Sequence, residues 1–360
     1  MRISASLLLL AALASPTRAA TLPVPQSFPT IGQALGAAAF GDTVLVSSGT
    51  YPELLNLVDG VILFGADSLD RPVIDGGGGG PILTGTDCGA TTLVQSFVLQ
   101  NATVIGEGGA MRLHGSDVVI QNVHFTNNQA THGGAIGSEE SDFTISNCTF
   151  TENTATQTGG AISTTGIASP MISGCRFQEN DALAGGAISV RNASAPSVET
   201  SAFASNQANQ GGGMWFDLLT AGTVQGCTFA SNEATPSNGS AIFFNALNTA
   251  IVTDCILAFG AGGGAVRVVG GATPTFGCND VFGNAGGNSL AGGIDLGTNF
   301  SADPLFCNLL GGDFSLSPGS PCLPNGPCGL VGAFDEGCVV VSAGSAIRTS
   351  TWSAMKALYR

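Results

Sequence analysis

A Gly-Gly step returns along the middle of the chain about every 26 residues, and this spacing restricts the fold more than any other feature. It reads Gly108-Gly109-Ala110-Met111, Gly133-Gly134-Ala135-Ile136, Gly159-Gly160-Ala161-Ile162, Gly185-Gly186-Ala187-Ile188 and Gly211-Gly212-Gly213-Met214, then loosens to Gly239-Ser240-Ala241-Ile242 and Gly263-Gly264-Ala265-Val266. Between the steps an aromatic residue is followed three positions later by Asn: Phe125/Asn128, Phe150/Asn153, Phe177/Asn180, Phe203/Asn206 and Phe229/Asn232. Two motifs held at one period describe a solenoid, whose coils bury their apolar faces only by stacking on one another.

Residues 133–158 show what one coil demands. Gly133-Gly134 forms a turn in which a missing Cβ admits positive φ. Ala135-Ile136 opens a short strand, and Glu139 to Asp142 makes a polar loop. Phe143-Thr144-Ile145 is a second strand with Phe143 and Ile145 on one face. A one-residue bend follows, at Asn122, Asn147, Gly174, Thr200, Gly226 and Asp254 in successive coils; all but Thr200 are residue types that tolerate the left-handed region. The bend resets parity, so Cys148 and Phe150 point inward. The repeated Asn stack into a ladder of side-chain amides. Three short strands per coil and coils about 4.8 Å apart predict an all-β, single-stranded, right-handed parallel β-helix of roughly ten rungs.

The expected organisation is a signal peptide at 1–19, an N-terminal cap and first rungs at 20–105, regular rungs at 106–300, a Cys-rich C-terminal cap at 301–338 and a tail at 339–360. Arg2, an apolar run too short to span a bilayer, and small residues before Ala19 mark the leader. No later apolar run is long enough for a transmembrane helix. The amphipathic stretch 28–38, with Ile31, Leu35 and Ala38 on one side, is placed as a plug over the open first coil, where unpaired strand edges need cover. A formal net charge of −15 repels phosphate backbones, so nucleic acid is not an expected partner. Ten Cys suit an oxidising compartment. Cys148, Cys175, Cys227 and Cys255 share the position after the bend and read as a buried stack of free thiols. Disulfides are expected among Cys307, Cys322, Cys328 and Cys338, with three pairings open; Cys88 and Cys278 are either structural or unpaired.

The Phe-x-x-Asn and Gly-Gly-Ala-Ile repeats resemble those of polymorphic outer membrane proteins and related bacterial right-handed β-helix proteins. Thr30 to Leu35 and Gly41 to Tyr51 resemble the first turn of pectin-lyase-like folds. Cys278 to Asn284, Ala302 to Cys307, Gly312 to Leu316 and Ser320 to Cys322 resemble the closing segment of the same bacterial proteins. The resemblance implies the fold and leaves the activity open, because lyases, hydrolases, esterases and adhesins share it. The Asp-centred esterase segment does not occur in the sequence, and the His-Gly pairs His114-Gly115 and His132-Gly133 lack the clustered Asp and the Arg-x-Lys that the hydrolases set beside them. Arg176, Arg191 and Arg267 read as solvated surface residues, Arg176 facing outward. His114, His124 and His132 fall at three azimuths, so no shared metal is expected. Glu107, Glu139, Glu140 and Asp142 form an acidic patch in which calcium is conceivable but no calcium loop is written. The reading is a secreted or cell-surface β-helix, bacterial outer-membrane or extracellular and monomeric, that binds a glycan or a surface protein without catalysis. No catalytic residue and no cofactor are assigned. The alternatives are a carbohydrate-active lyase or hydrolase and a purely structural envelope scaffold.

Overall fold

The computed structural model describes residues 19–338; the expected leader, apart from Ala19, and the expected tail lie outside them. Met111, Ile136, Ile162, Ile188 and Met214 stand in one parallel column, as the period requires. The strands gather into three long sheets, which we call A, B and C. Sheet A has 12 strands from Thr21–Val24 to Ile294–Asp295, sheet B has 10 from Thr50–Tyr51 to Asp280–Phe282, and sheet C has 13, with Ala261–Val268 branching off its main path. The described residues form a parallel solenoid of about ten coils with one short helix.

Each regular coil holds one extended segment more than the three expected. Gln129–His132, Thr154–Thr158, Asp181–Ala184 and Gln207–Gln210 run from the Asn to the Gly-Gly step and pair with one another. They form the outer wing of sheet C. At the step, a Cβ on Gly133 would lie 2.0 Å from the Ile136 carbonyl, and its φ is +64°, so only glycine turns the chain there. Where the step loosens to Gly239-Ser240, Glu233–Phe244 runs through the corner as one strand.

Two further corners are single left-handed residues. The expected bend residues all have positive φ, Thr200 included at 43°. A second corner falls just before each ladder Asn, at Asn127, Glu152, Glu179, Ser205 and Ser231, with φ between 54° and 56°. Glu and Ser have no preference for this conformation, so the hydrogen bonds that follow must hold it. Each Asn inside the column is satisfied on all sides, and the end members Asn128 and Asn232 make three side-chain hydrogen bonds each. The Asn153 amide donates to Asn180 Oδ1 and to the Phe125 carbonyl, and its Oδ1 accepts from the backbone and side chain of Asn128. Asn128, Asn153, Asn180, Asn206 and Asn232 repeat this pattern as one column.

Phe125, Phe150, Phe177, Phe203 and Phe229 stack face to face at 4.4–4.8 Å inside the coil. Cys148, Cys175, Cys227 and Cys255 are buried free thiols. Their column repeats the Asn ladder in weaker form: Val123 N–H donates to Cys148 Sγ, Cys175 N–H to Ser201 Oγ, Cys227 N–H to Cys255 Sγ and Cys255 N–H to Asn279 Oδ1. Thiols, a hydroxyl and an amide thus serve one corner, each accepting an N–H from the neighbouring coil.

Helix α1 (Ile31–Ala37) is capped by Thr30 and buries Ile31, Ala34 and Leu35 against the first coil. Glu53 accepts the N–H groups of Ile31 and Gly32. At the other end the Cys-rich segment lies back along the outer face of sheet B. Gly312 accepts from Arg176, Ala333 N–H donates to Thr228 Oγ1, and Phe314 packs on Ala204 and Ala230. Two disulfides hold it, Cys307–Cys338 and Cys278–Cys328. This corrects the expected set: Cys328 bonds Cys278, outside the four, while Cys322 keeps its thiol and donates to Asp280 Oδ2. The reason is the position of the last coil, which brings Cys278 beside the returning segment.

Candidate functional site

Along the outer wing of sheet C, every ladder Asn is followed by an outward polar residue, an inward Ala and a second outward residue. The parity of a strand separates them. The first outward row is Thr154, Asp181, Gln207 and Glu233; the Ala row is Ala155, Ala182, Ala208 and Ala234; the second outward row is Thr156, Leu183, Asn209 and Thr235. Together they line a shallow open groove of about 730 Å³ that runs along the solenoid axis. Partial desolvation raises the Asp181 carboxyl above its ordinary value, against a smaller opposing effect of the Ala182 N–H. The groove offers carboxylate and amide acceptors, amide and hydroxyl donors, and one exposed Leu, a lining that fits a chain rich in hydroxyl or peptide groups.

The other candidates are dispersed. Arg176 does not face solvent as expected. It lies half-buried under the C-terminal segment, with its guanidinium on the Gly312 carbonyl and 5.4 Å from the centre of the Phe314 ring. Burial lowers its pKa, and Asp313 and Glu179 oppose that. Arg267 is exposed beside Phe243. Arg191 is half-buried within the field of Glu107 and Asp217. His114 contacts Glu139 at 3.3 Å on the surface, His124 meets Arg71, and His132 meets Thr158 at 2.8 Å. Burial lowers the His132 pKa, and Arg191 adds to this. The structure thus brings His132, Arg191 and Glu107 into one neighbourhood and leaves His114 and His124 elsewhere. The acidic patch serves its own loops: Asp142 accepts the Ser169 N–H, and Asp117 accepts that of Asp142. Among the described residues no three His, Cys, Asp or Glu side chains gather as a metal-binding group.

The model of the right-handed beta helix region matches residues 96–281, more than half of the chain. The chain belongs to the right-handed beta helix family. The matched residues begin at the bend Ser96 and end in the last strand of sheet B, so the family region contains the whole groove. No curated protein matches the sequence. Among the described residues no helix is long and apolar enough to cross a membrane. The groove residues Asp181, Gln207 and Glu233 of this right-handed beta helix were not singled out from the sequence. Their signal was present as a repeated Asn-x-Ala, from Asn128-Gln129-Ala130 to Asn232-Glu233-Ala234.

Proposed function

We propose that this protein is an exported, non-catalytic binding protein of the bacterial cell surface or its surroundings, and that it holds an extended glycan or peptide chain along the axial groove. The observation that carries the reading is the groove itself: the same two outward positions line it coil after coil, so a linear ligand meets a repeating set of donors and acceptors. Export is supported by the leader-like residues 1–19 and by two disulfides, which persist in oxidising compartments. The likeness of the repeats to polymorphic outer membrane proteins fits a surface role. A monomer with no required cofactor is the simplest form of the proposal.

A second reading, glycoside hydrolysis or elimination, rests on Asp181, whose carboxyl is pushed up as a general acid requires. Glu233 follows two coils later, at about 10 Å by rung spacing, near the upper limit for an inverting pair. One experiment separates the two. The chain is titrated against a panel of neutral and acidic polysaccharides, with and without calcium, while retention, new reducing ends and new unsaturated ends are followed. Retention that is lost in Asn209→Trp, without turnover, is the expected result. Turnover abolished by Asp181→Asn would establish the enzyme reading instead. Retention indifferent to Asn209→Trp would remove the groove from the account.

A further inference from the structure

Around the Gly-Gly corner from the groove, the outward column of the inner part of sheet C runs Arg112, Gly137, Ser163, Ser189, Trp215 and Phe243 in register. Gly137 has no side chain because Glu107 occupies the space: an added Cβ would lie 2.8 Å from that of Glu107. Ser163 and Ser189 are small and buried. Glu107 fills the column over Gly137, so the depression before Trp215 is the stretch floored by Ser163 and Ser189. A hydroxyl chain crosses it, from His132 Nδ1 to Thr158 Oγ1 at 2.8 Å, on to Ser163 Oγ at 3.3 Å and to Ser189 Oγ at 3.0 Å. Arg191, two residues beyond Ser189 and on the same face, stands at its edge.

Two donors here have no acceptor. Arg191 Nε and Trp215 Nε1 are both buried, and neither has a hydrogen-bond partner among the described residues. Trp215 is 9% exposed. Leaving a buried N–H unpaired is destabilising, more so for a charged group. Two such donors on adjacent coils, one of them cationic, are complementary to an anionic oxygen. Glu107 and Asp217 act on the guanidinium from a distance, and Asp217 is already an acceptor for Asn245. Their charge limits what the depression can take. Glu107, Asp217 and a chain of net charge −15 repel any anion here, a singly charged one half as strongly as a phosphate dianion.

We propose that the depression beside Arg191 and Trp215 binds a carboxylate, carried on a ligand of otherwise low charge. The Arg191 and Trp215 N–H groups donate to its oxygens, which a carboxylate presents in a pair. The site is independent of the axial groove, and its test does not use that reading.

The chain has two Trp, Trp215 and Trp352, so two indole N–H resonances report on the ¹⁵N-labelled protein, and Trp352→Phe assigns them. The probes are acetate, N-acetylglycine and methyl glucuronide, with methyl glucoside and phosphate as controls at constant ionic strength. The Trp215 resonance moves downfield and saturates with the carboxylates and stays in place with methyl glucoside; the probe of highest affinity identifies the carrier. Arg191→Gln lowers that affinity about tenfold or more, the worth of a charge-assisted hydrogen bond. Arg191→Lys, which keeps the charge and loses the fork, serves if the Gln variant loses its native spectrum, and it too must weaken binding. A wild-type Trp215 resonance that does not move by about 100 mM carboxylate, that moves equally with methyl glucoside or phosphate, or that responds undiminished in the Arg191 variants overturns the proposal.

Discussion

Asp280 is a carboxyl in the wrong place for a stable fold at neutral pH, and removing its charge should strengthen the protein. It is fully buried where the last strand of sheet B meets the C-terminal segment. Ala302 N–H donates to Oδ1 and the Cys322 thiol to Oδ2. Burial dominates these two bonds and raises its pKa from 3.8 to about 6, with Asp303 adding to the rise. Between those values the native state keeps a proton that the unfolded chain has lost, so stability falls as pH rises from about 4 to about 6 and is level above. Two pKa units at ~1.4 kcal/mol each amount to about 3 kcal/mol. Asp280→Asn never bears this cost. Its carbonyl still accepts the Ala302 N–H, and its NH₂ group faces the Cys322 sulfur. The variant should therefore match the parent near pH 3 and exceed it by about 3 kcal/mol at pH 7.5. Urea midpoints of both proteins at several pH values, with disulfides intact, measure the difference. A gain that is the same at pH 3 and pH 7.5, or a loss at pH 7.5, would show that the ionised carboxylate is not the destabilising element.

The Asn ladder and the C-terminal cover give two further predictions. Asn180→Ala removes a side chain that makes four buried hydrogen bonds and should cost about 3–5 kcal/mol; Asn299→Ala, at the half-exposed end of the neighbouring Asn279 column, should cost about 1–2 kcal/mol, and equal urea midpoints would refute the ladder's role. Arg176→Ala loses the Gly312 carbonyl and the Phe314 ring, roughly 1–3 kcal/mol of attachment, so protease should cut within 301–338 faster while the coils stay protected, and an unchanged cleavage rate would count against the clamp.

The regular coils were legible because their requirements are local. A tight turn needs Gly, a stack needs identical rings, and a ladder needs amides, so each writes its residue type at the period. Thr200 shows the limit of residue preference. Its corner is imposed by Gly174 and Gly226 in the coils on either side, and it takes φ of 43° with them. The second corner was hidden for the same reason, since Glu152, Glu179, Ser205 and Ser231 carry no left-handed signature. What fixes them is the Asn that follows, whose three or four hydrogen bonds outweigh the roughly 1–2 kcal/mol of left-handed strain. The position, one before the Asn, was in the sequence; the residue type was not informative.

Long-range cover left a different trace. In sheet B the outward residues are Thr149 and Thr151 in one coil, then Arg176 and Gln178, Ala202 and Ala204, Thr228 and Ala230, and Ile256 and Ala258. The alternation of a one-sided sheet fades there because the C-terminal segment makes the sheet two-sided. Arg176 and Arg191 show why the functional consequences could not be read in the same way. Arg176 stands in a mixed column with Thr149 and Ala202, Arg191 follows its strand at the position that Thr165 and Asp217 take in the neighbouring coils, and each is half-buried. The acceptor for Arg176 lies 136 residues further along, on a segment that no periodicity connects to it. Arg191 faces a floor of Ser163 and Ser189 with its Nε unpaired. One arginine is consumed by the fold and the other is left with a donor to offer, and only the path of the C-terminal segment tells them apart.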